Sequence, residues 1–249
     1  MTKSSASKKT DFQQRKDLVL SIVVNEYIKS VLPVGSSLIA QEYHLDLSSA
    51  TIRNILAELE EEGFLMHPHT SAGRIPTQRG YRYYVDHLMD EIQLLEGEKK
   101  RILTEYQKSV NELELLLEKT SQMVSDVTHY TSIVSVDGWG SKLFLKGTGY
   151  VVDYPESRDV DNIAKILHTL EEKERILKVI NGGLEKRIHI YIGHEIALKE
   201  IENCSLAVSV FKKKNGPSGR IAVLGPTRMD YERVVSALDY VTDLMREVS

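Results

Sequence analysis

An arginine and an asparagine stand side by side at Arg53 and Asn54, one turn into a stretch that opens with Ser48, Ser49, Ala50 and Thr51. A guanidinium can donate two parallel hydrogen bonds to O6 and N7 of guanine, and a carboxamide can make the matching pair with N6 and N7 of adenine. The serine and threonine hydroxyls suit phosphate oxygens. Four acids, Glu58, Glu60, Glu61 and Glu62, follow within the same stretch, whereas from Gly63 to Val85 there are three arginines, two histidines and no acid. On a helix that enters a major groove by its N-terminal half, the positive dipole end and the donors face DNA and the acidic end points away. The plain alternative is a capped surface helix with a solvated glutamate face.

Such residues need a scaffold, and the flanking sequence predicts one. Residues 17–31 repeat apolar side chains at Leu18, Ile22, Val23, Tyr27 and Ile28, an amphipathic helix ended by Pro33 and Gly35. Ser36 can cap a short helix through Glu42, and His44 to Leu47 makes the turn before Ser48 caps the next. That third helix buries Ile52, Ile55, Leu56 and Leu59, which leaves Ala50, Arg53, Asn54 and Ala57 on its other face. Residues 64–66 read as a strand, 71–74 as a turn and 75–77 as the return strand. Pro68 and Pro76 suit a two-stranded edge. The hairpin is expected to act as a wing, with His69, Thr70, Ser71 and Arg74 at or near its tip against phosphate or minor groove. Arg79 follows on a helix capped by Thr77. Paired with no nearby acid or cysteine, His67 and His69 read better as polar wing residues than as a metal pair.

Composition limits the partners. The chain has 249 residues, 41% apolar and 27% charged, with a net charge of −4 and a pI near 6.1. A nucleic-acid site must therefore be local. Residues 1–89 carry 10 Lys and Arg against 10 Asp and Glu, so the acidic excess belongs to the remainder. A single cysteine, Cys204, excludes an internal disulfide, and no run of eighteen apolar residues occurs. The reading is of a cytoplasmic protein with a disordered basic arm over 1–16 and no membrane span.

The segments "PVGS", "SSATIRN", "LEEEGFL", "HPHTSAGRIPT", "GYRYYVDHLM" and "GPTRMDYERVV" closely resemble the heat-inducible transcription repressor HrcA family, over most of residues 17–90 and 142–243. The resemblance implies a dimeric repressor that binds double-stranded DNA at an inverted-repeat operator upstream of chaperone operons, with its active state supported by the GroE chaperonin. In that family an inserted dimerisation domain lies between "THYTS" and the "KGT" motif. Here residues 128–132 run through "IVSVDGWGSKLFLKGTG" almost at once, so the chain resembles a shortened member.

A substitute dimer surface is legible between residues 88 and 127, where Ile92, Leu95, Ile102, Tyr106, Leu113 and Leu116 belong to a heptad-like seam. Lys99, Ser109 and Thr120 interrupt it, so packing of this long connecting helix on its own C-terminal domain is the competing reading. Residues 128–249 mix strands at 132–136, 142–146, 187–192, 205–211 and 220–224 with helices at 160–180 and 229–246. The fold class expected is α+β: a winged helix-turn-helix over 17–87, the connecting helix over 88–127 and a GAF-like antiparallel sheet with flanking helices over 128–249. The alternatives are a GAF-type ligand sensor acting on other genes, or a chaperonin-associated protein without operator binding.

No catalytic or metal set is legible. Gly147-Thr148-Gly149 lacks a phosphate-loop pattern and reads as a tight turn. Asp137, Asp153, Glu156 and Asp161 form no recognisable carboxylate pair, His168, His189 and His194 are scattered, and Cys204 reads as a small core residue. Neither enzyme activity nor a cofactor is expected.

Overall fold

The computed structural model describes residues 3–45, 47–68, 73–89, 96–109, 113–140, 142–154, 160–182, 187–212 and 218–247, with the side chains of 3–11, 105–109 and 247 excepted. The fold is α+β, and the chain divides into two compact units, Met1–Asp90 and Glu91–Ser249. No helix among the described residues is long and apolar enough to cross a membrane.

In the first unit α1 (Lys3–Ser30) buries Val19, Leu20, Ile22, Val23 and Val24. It starts at Lys3, so most of the expected disordered arm is helical. At the end of that stretch Lys16 is only 5% exposed, and its ammonium bonds Glu62 and lies 3.5 Å from Glu58. Burial by itself would lower its pKa, but those two carboxylates outweigh burial and raise it. α2 (Ser36–Glu42) buries Ile39, and the turn after it takes His44 through φ +44°. α3 (Ser49–Glu61) starts where the Ser48 hydroxyl accepts from Thr51 N–H at 3.1 Å, and it buries Ile52, Ile55, Leu56 and Leu59 as the spacing predicts. Gly63, at φ +75°, lets the chain leave the helix.

The strands β1 (Leu65–Met66) and β2 (Ile75–Pro76) pair antiparallel, Leu65 opposite Pro76 and Met66 opposite Ile75. An isolated bridge joins Val34 to Arg74. α4 (Gln78–Tyr83) continues as a π-helical turn, Tyr84–Leu88. The Thr77 hydroxyl caps α4 by accepting from Gly80 N–H at 3.1 Å and donates to Gly63 O at 2.6 Å. A Cβ on Gly80 would sit 2.2 Å from Phe64 O, so only glycine lets α4 lie this close to the chain entering β1.

The second unit begins with α5 (Glu96–Ser109) and α6 (Leu113–Thr128), which pack against each other. Its sheet contains β3 (Thr131–Val136), β4 (Leu143–Lys146), β5 (Ile188–Ile192), β6 (Cys204–Lys212) and β7 (Ser218–Pro226). The order is β4-β3-β7-β6-β5, and every neighbouring pair is antiparallel. α6 and α9 (Tyr231–Glu247) pack on the sheet, as do α7 (Val160–Glu171) and α8 (Lys173–Ile180) with their neighbouring 3-10 turns. Ile133, Leu206, Val208, Ala222 and Leu224 share a core with Ile166, Leu170, Ile176 and Ile180 of α7 and α8. Alternate residues face the other way, where hydroxyls satisfy buried polar groups: Ser121 donates to Ser132 O at 3.1 Å and Thr242 to Ser209 Oγ at 2.8 Å.

This packing makes two of the expected seam positions part of the unit's own core. Ile102 and Leu116 are 2% and 1% exposed within their own unit, and α6 lies on β3 and β4, so the segment is part of the second unit instead of a free connecting helix. Arg233 ties α9 to both helices, accepted by Val127 O at 2.6 Å and by Glu98 Oε1 at 2.6 Å. Ile92 and Leu95, and the side chain of Tyr106, lie outside the described residues. Leu113 is half-buried.

Gly147 is likewise more than a simple turn residue. At φ +74° it precedes a 3-10 helix, Thr148–Asp153, and an added Cβ would meet Ser125 Oγ at 1.9 Å and Tyr130 O at 2.7 Å. Gly147→Ala is expected to destabilise the protein by about 1–3 kcal/mol, because it combines left-handed backbone strain with a clash against α6. Denaturant unfolding checks this, and a midpoint equal to the parent's would contradict the packing described.

Candidate nucleic-acid interface

The N-terminal half of α3 presents Ala50, Arg53 and Asn54, all exposed. Neither Arg53 nor Asn54 bonds another described residue. Around them the hydroxyls are already partly engaged: Ser48 accepts the cap bond and lies 2.9 Å from Thr51 Oγ1, and Ser49 donates to Ser36 Oγ at 3.3 Å. A capped hydroxyl retains donor capacity, so these groups remain suited to phosphate oxygens.

The acids at the other end of α3, Glu61 excepted, are paired. Glu58 and Glu62 meet Lys16 of α1, and Glu60 meets Arg74 at 2.8 Å and also His67. Arg74 was expected at a wing tip. It adjoins β2 on the turn side of the hairpin, its side chain only 15% exposed, while its N–H and C=O exchange 2.8 Å hydrogen bonds with Val34. Its guanidinium also bonds His67 Nε2. A guanidinium only donates, so His67 Nε2 accepts from Arg74 while Nδ1 faces Glu60. Sequence reasoning missed this trio because Glu60, His67 and Arg74 are spaced at sevens across a helix, a turn and two strands, a spacing that carries no local signal.

Arg79 is exposed, but its guanidinium lies over the Phe64 ring, 4.8 Å from the centroid. It therefore braces the start of α4 against β1 as well as facing solvent. His69, Thr70 and Ser71 lie outside the described residues. The tyrosines of the "GYRYYVDHLM" segment divide as follows: Tyr81 and Tyr84 are buried, and Tyr83 and Tyr84 donate at 3.0 Å to Asp17 and Asn25 of α1. Burial and then Asp17 push the Tyr83 pKa up. Tyr43, at the end of α2, donates to Glu26 of α1 at 2.6 Å, and burial followed by Glu26 pushes its pKa to about 12.

In the second unit the space between the sheet and α7 is filled. A cavity of about 10 Å³ remains beside Tyr154, Asn162, Ile166 and Cys204, room for one water. Tyr154 lines it, donating to Leu224 O at 3.0 Å, and burial pushes its pKa up. Cys204 is buried, in keeping with a small core residue.

Set against known proteins, residues 137–235 match the family described as HrcA protein C terminal domain. The heat-inducible transcription repressor HrcA of Bacillus pumilus is 30% identical over 335 aligned positions, covering 94% of this chain and 97% of that protein. That of Symbiobacterium thermophilum is 28% identical over 334, covering 94% and 98%. Both alignments are longer than the 249 residues of this chain, so each relative carries internal residues with no counterpart here. A crystal structure described as that of a hypothetical protein superposes with a TM-score of 0.71 at 18% identity, covering 94% of this chain and 97% of that one, a likeness of fold.

Two units, one of them with a free donor-bearing helix face, and relatives named as repressors define the class as transcription regulators. More narrowly, the chain belongs to the heat-inducible transcription repressor HrcA family.

Arg74→Ala is expected to cost about 1–3 kcal/mol of stability, since it removes charge-assisted bonds from a largely buried network and leaves Glu60 with His67 alone. Thermal unfolding tests this; an unchanged midpoint would return Arg74 to the surface. Tyr43 sets a pH window. Its folded pKa near 12 lies above the unfolded value of 10.0, so its stabilisation is complete below pH 10 and lost as pH rises through 12. Denaturant midpoints at pH 8 and pH 11 should fall less in Tyr43→Phe than in the parent.

Proposed function

We propose that this protein is a transcription repressor that binds double-stranded DNA through a winged helix-turn-helix, α3 reading the major groove and the β1–β2 hairpin serving as the wing. The observation that carries this reading is the exposure of Arg53 and Asn54, side by side and uncommitted, on the N-terminal half of a helix whose acids are all but one engaged elsewhere. His69, Thr70 and Ser71 are retained as wing contacts. Arg74 is read instead as a brace that holds the hairpin to Glu60, His67 and Val34.

The second unit is read as a GAF-like regulatory domain. With its interior filled to a 10 Å³ residue, a ligand buried between sheet and α7 is not favoured. The target is an inverted-repeat operator upstream of chaperone genes, and a two-fold operator calls for a homodimer. GroE remains a proposed partner. Because Ile102 and Leu116 are core positions, Ile102→Lys or Leu116→Lys is expected to unfold the second unit instead of releasing monomers.

Footprinting on chaperone-gene promoters tests the reading, with an inverted repeat protected. Arg53→Ala and Asn54→Ala should each lose about 1–3 kcal/mol of discrimination at one base position per half-site while the fold is retained. Equal affinity of both variants and the parent for operator and mutated operators would remove α3 from the groove. Sedimentation should give a dimer at micromolar concentration, and a monomer both free and on DNA would sink the two-fold arrangement.

A further inference from the structure

A groove of about 430 Å³ opens in the second unit between α5, α6 and the 3-10 helix after Gly147, on the outer side of α6 away from the filled core. Its apolar lining comes from Ile102, Met123 and Val127, with Tyr150 alongside, and it runs from Lys119 to Val127, about 12 Å at the helical rise. Volumes of roughly 300–1,000 Å³ are those of small-molecule sites.

The rim carries two cations against one acid. Arg101 on α5 and Lys119 on α6 are both exposed, and neither makes a hydrogen bond or ion pair with another described residue. The acid of the groove, Asp126, already accepts from Gln122 Nε2 at 2.8 Å. The nearby Glu118 is paired with Lys146 at 2.7 Å. A partly apolar floor beside two cations that are uncommitted among the described residues complements a molecule with a negative head and an apolar body.

We propose that this groove binds an amphipathic organic anion, a carboxylate on a hydrocarbon body. Its head meets Arg101 and Lys119, one from each helix, and its body covers Ile102, Met123 and Val127. Binding joins α5 to α6, so the ligand stabilises the helix pair at the start of the second unit. The inference is independent of the DNA-binding reading, because none of these residues belongs to the first unit.

Octanoate is the probe, with 1-octanol carrying the body without the charge and acetate the charge without the body. Titration calorimetry on the full chain should show octanoate binding, both controls at least about tenfold weaker, and Arg101→Gln/Lys119→Gln reducing octanoate affinity by at least about tenfold, the scale of one charge-assisted hydrogen bond. Both substituted positions are exposed, so the variant should keep the parent's circular dichroism and melting temperature, and a variant that does not is replaced by the single Lys119→Gln, for which a drop of severalfold is expected. No binding of octanoate at millimolar concentration, equal binding of 1-octanol, or unchanged affinity in the folded variant overturns the proposal.

Discussion

The first unit depends on how the acidic end of α3 is neutralised. Four glutamates within five residues at the end of one helix would repel one another and destabilise that end, where the dipole already disfavours negative charge. Here three of the four have a counterion from another element: Lys16 of α1 takes Glu58 and Glu62, and Arg74 of the hairpin takes Glu60. The same ion pairs therefore do three things. They draw the first half of α1 into the fold, fix the hairpin to the helix, and set the roll of α3 so that Arg53 and Asn54 point outward.

Arg74 shows how tightly backbone and side chain are coupled in this arrangement. Its peptide group pairs with Val34, which holds the hairpin against the segment between α1 and α2, while its guanidinium reaches Glu60 and His67. A lysine could neutralise Glu60, but it could not fork between a carboxylate and an imidazole. The tyrosine hydroxyls extend the same logic to α2 and α4, since Tyr43, Tyr83 and Tyr84 each end on a polar side chain of α1. α1 is thus the common support for the helix pair, the hairpin and the helix that follows.

In the second unit the governing constraint is a sheet buried on both faces. β3 is buried at every position, and α6 and α9 approach closely because serines and threonines, not large apolar residues, fill much of that interface. Each such hydroxyl needs an acceptor, and Ser121, Ser125 and Thr128 find theirs in backbone carbonyls. This is why α6 stays with its own sheet. Of the apolar positions that suggested a seam between chains, Ile102 and Leu116 seal α5 and α6 onto the unit.

Local pattern was enough for much of this protein. The apolar spacing of α3, the caps at Ser48 and Thr77, the β1–β2 hairpin and all five strands of the large sheet were legible because each rests on interactions within a few residues. The exposure of Arg53 and Asn54 followed from the same helical period. What the residues alone left open was partner choice. A heptad-like stripe records that one face of α6 is apolar, and it is silent on whether a second chain or the chain's own sheet covers it. An arginine next to a turn looks like a wing tip until Glu60 and Val34, distant in sequence, are brought against it. A lysine in a basic N-terminal segment looks solvated until two glutamates meet it across 42 and 46 residues. Charge pairing and face-to-face burial are long-range in sequence and short-range in space, so only the tertiary structure decided them.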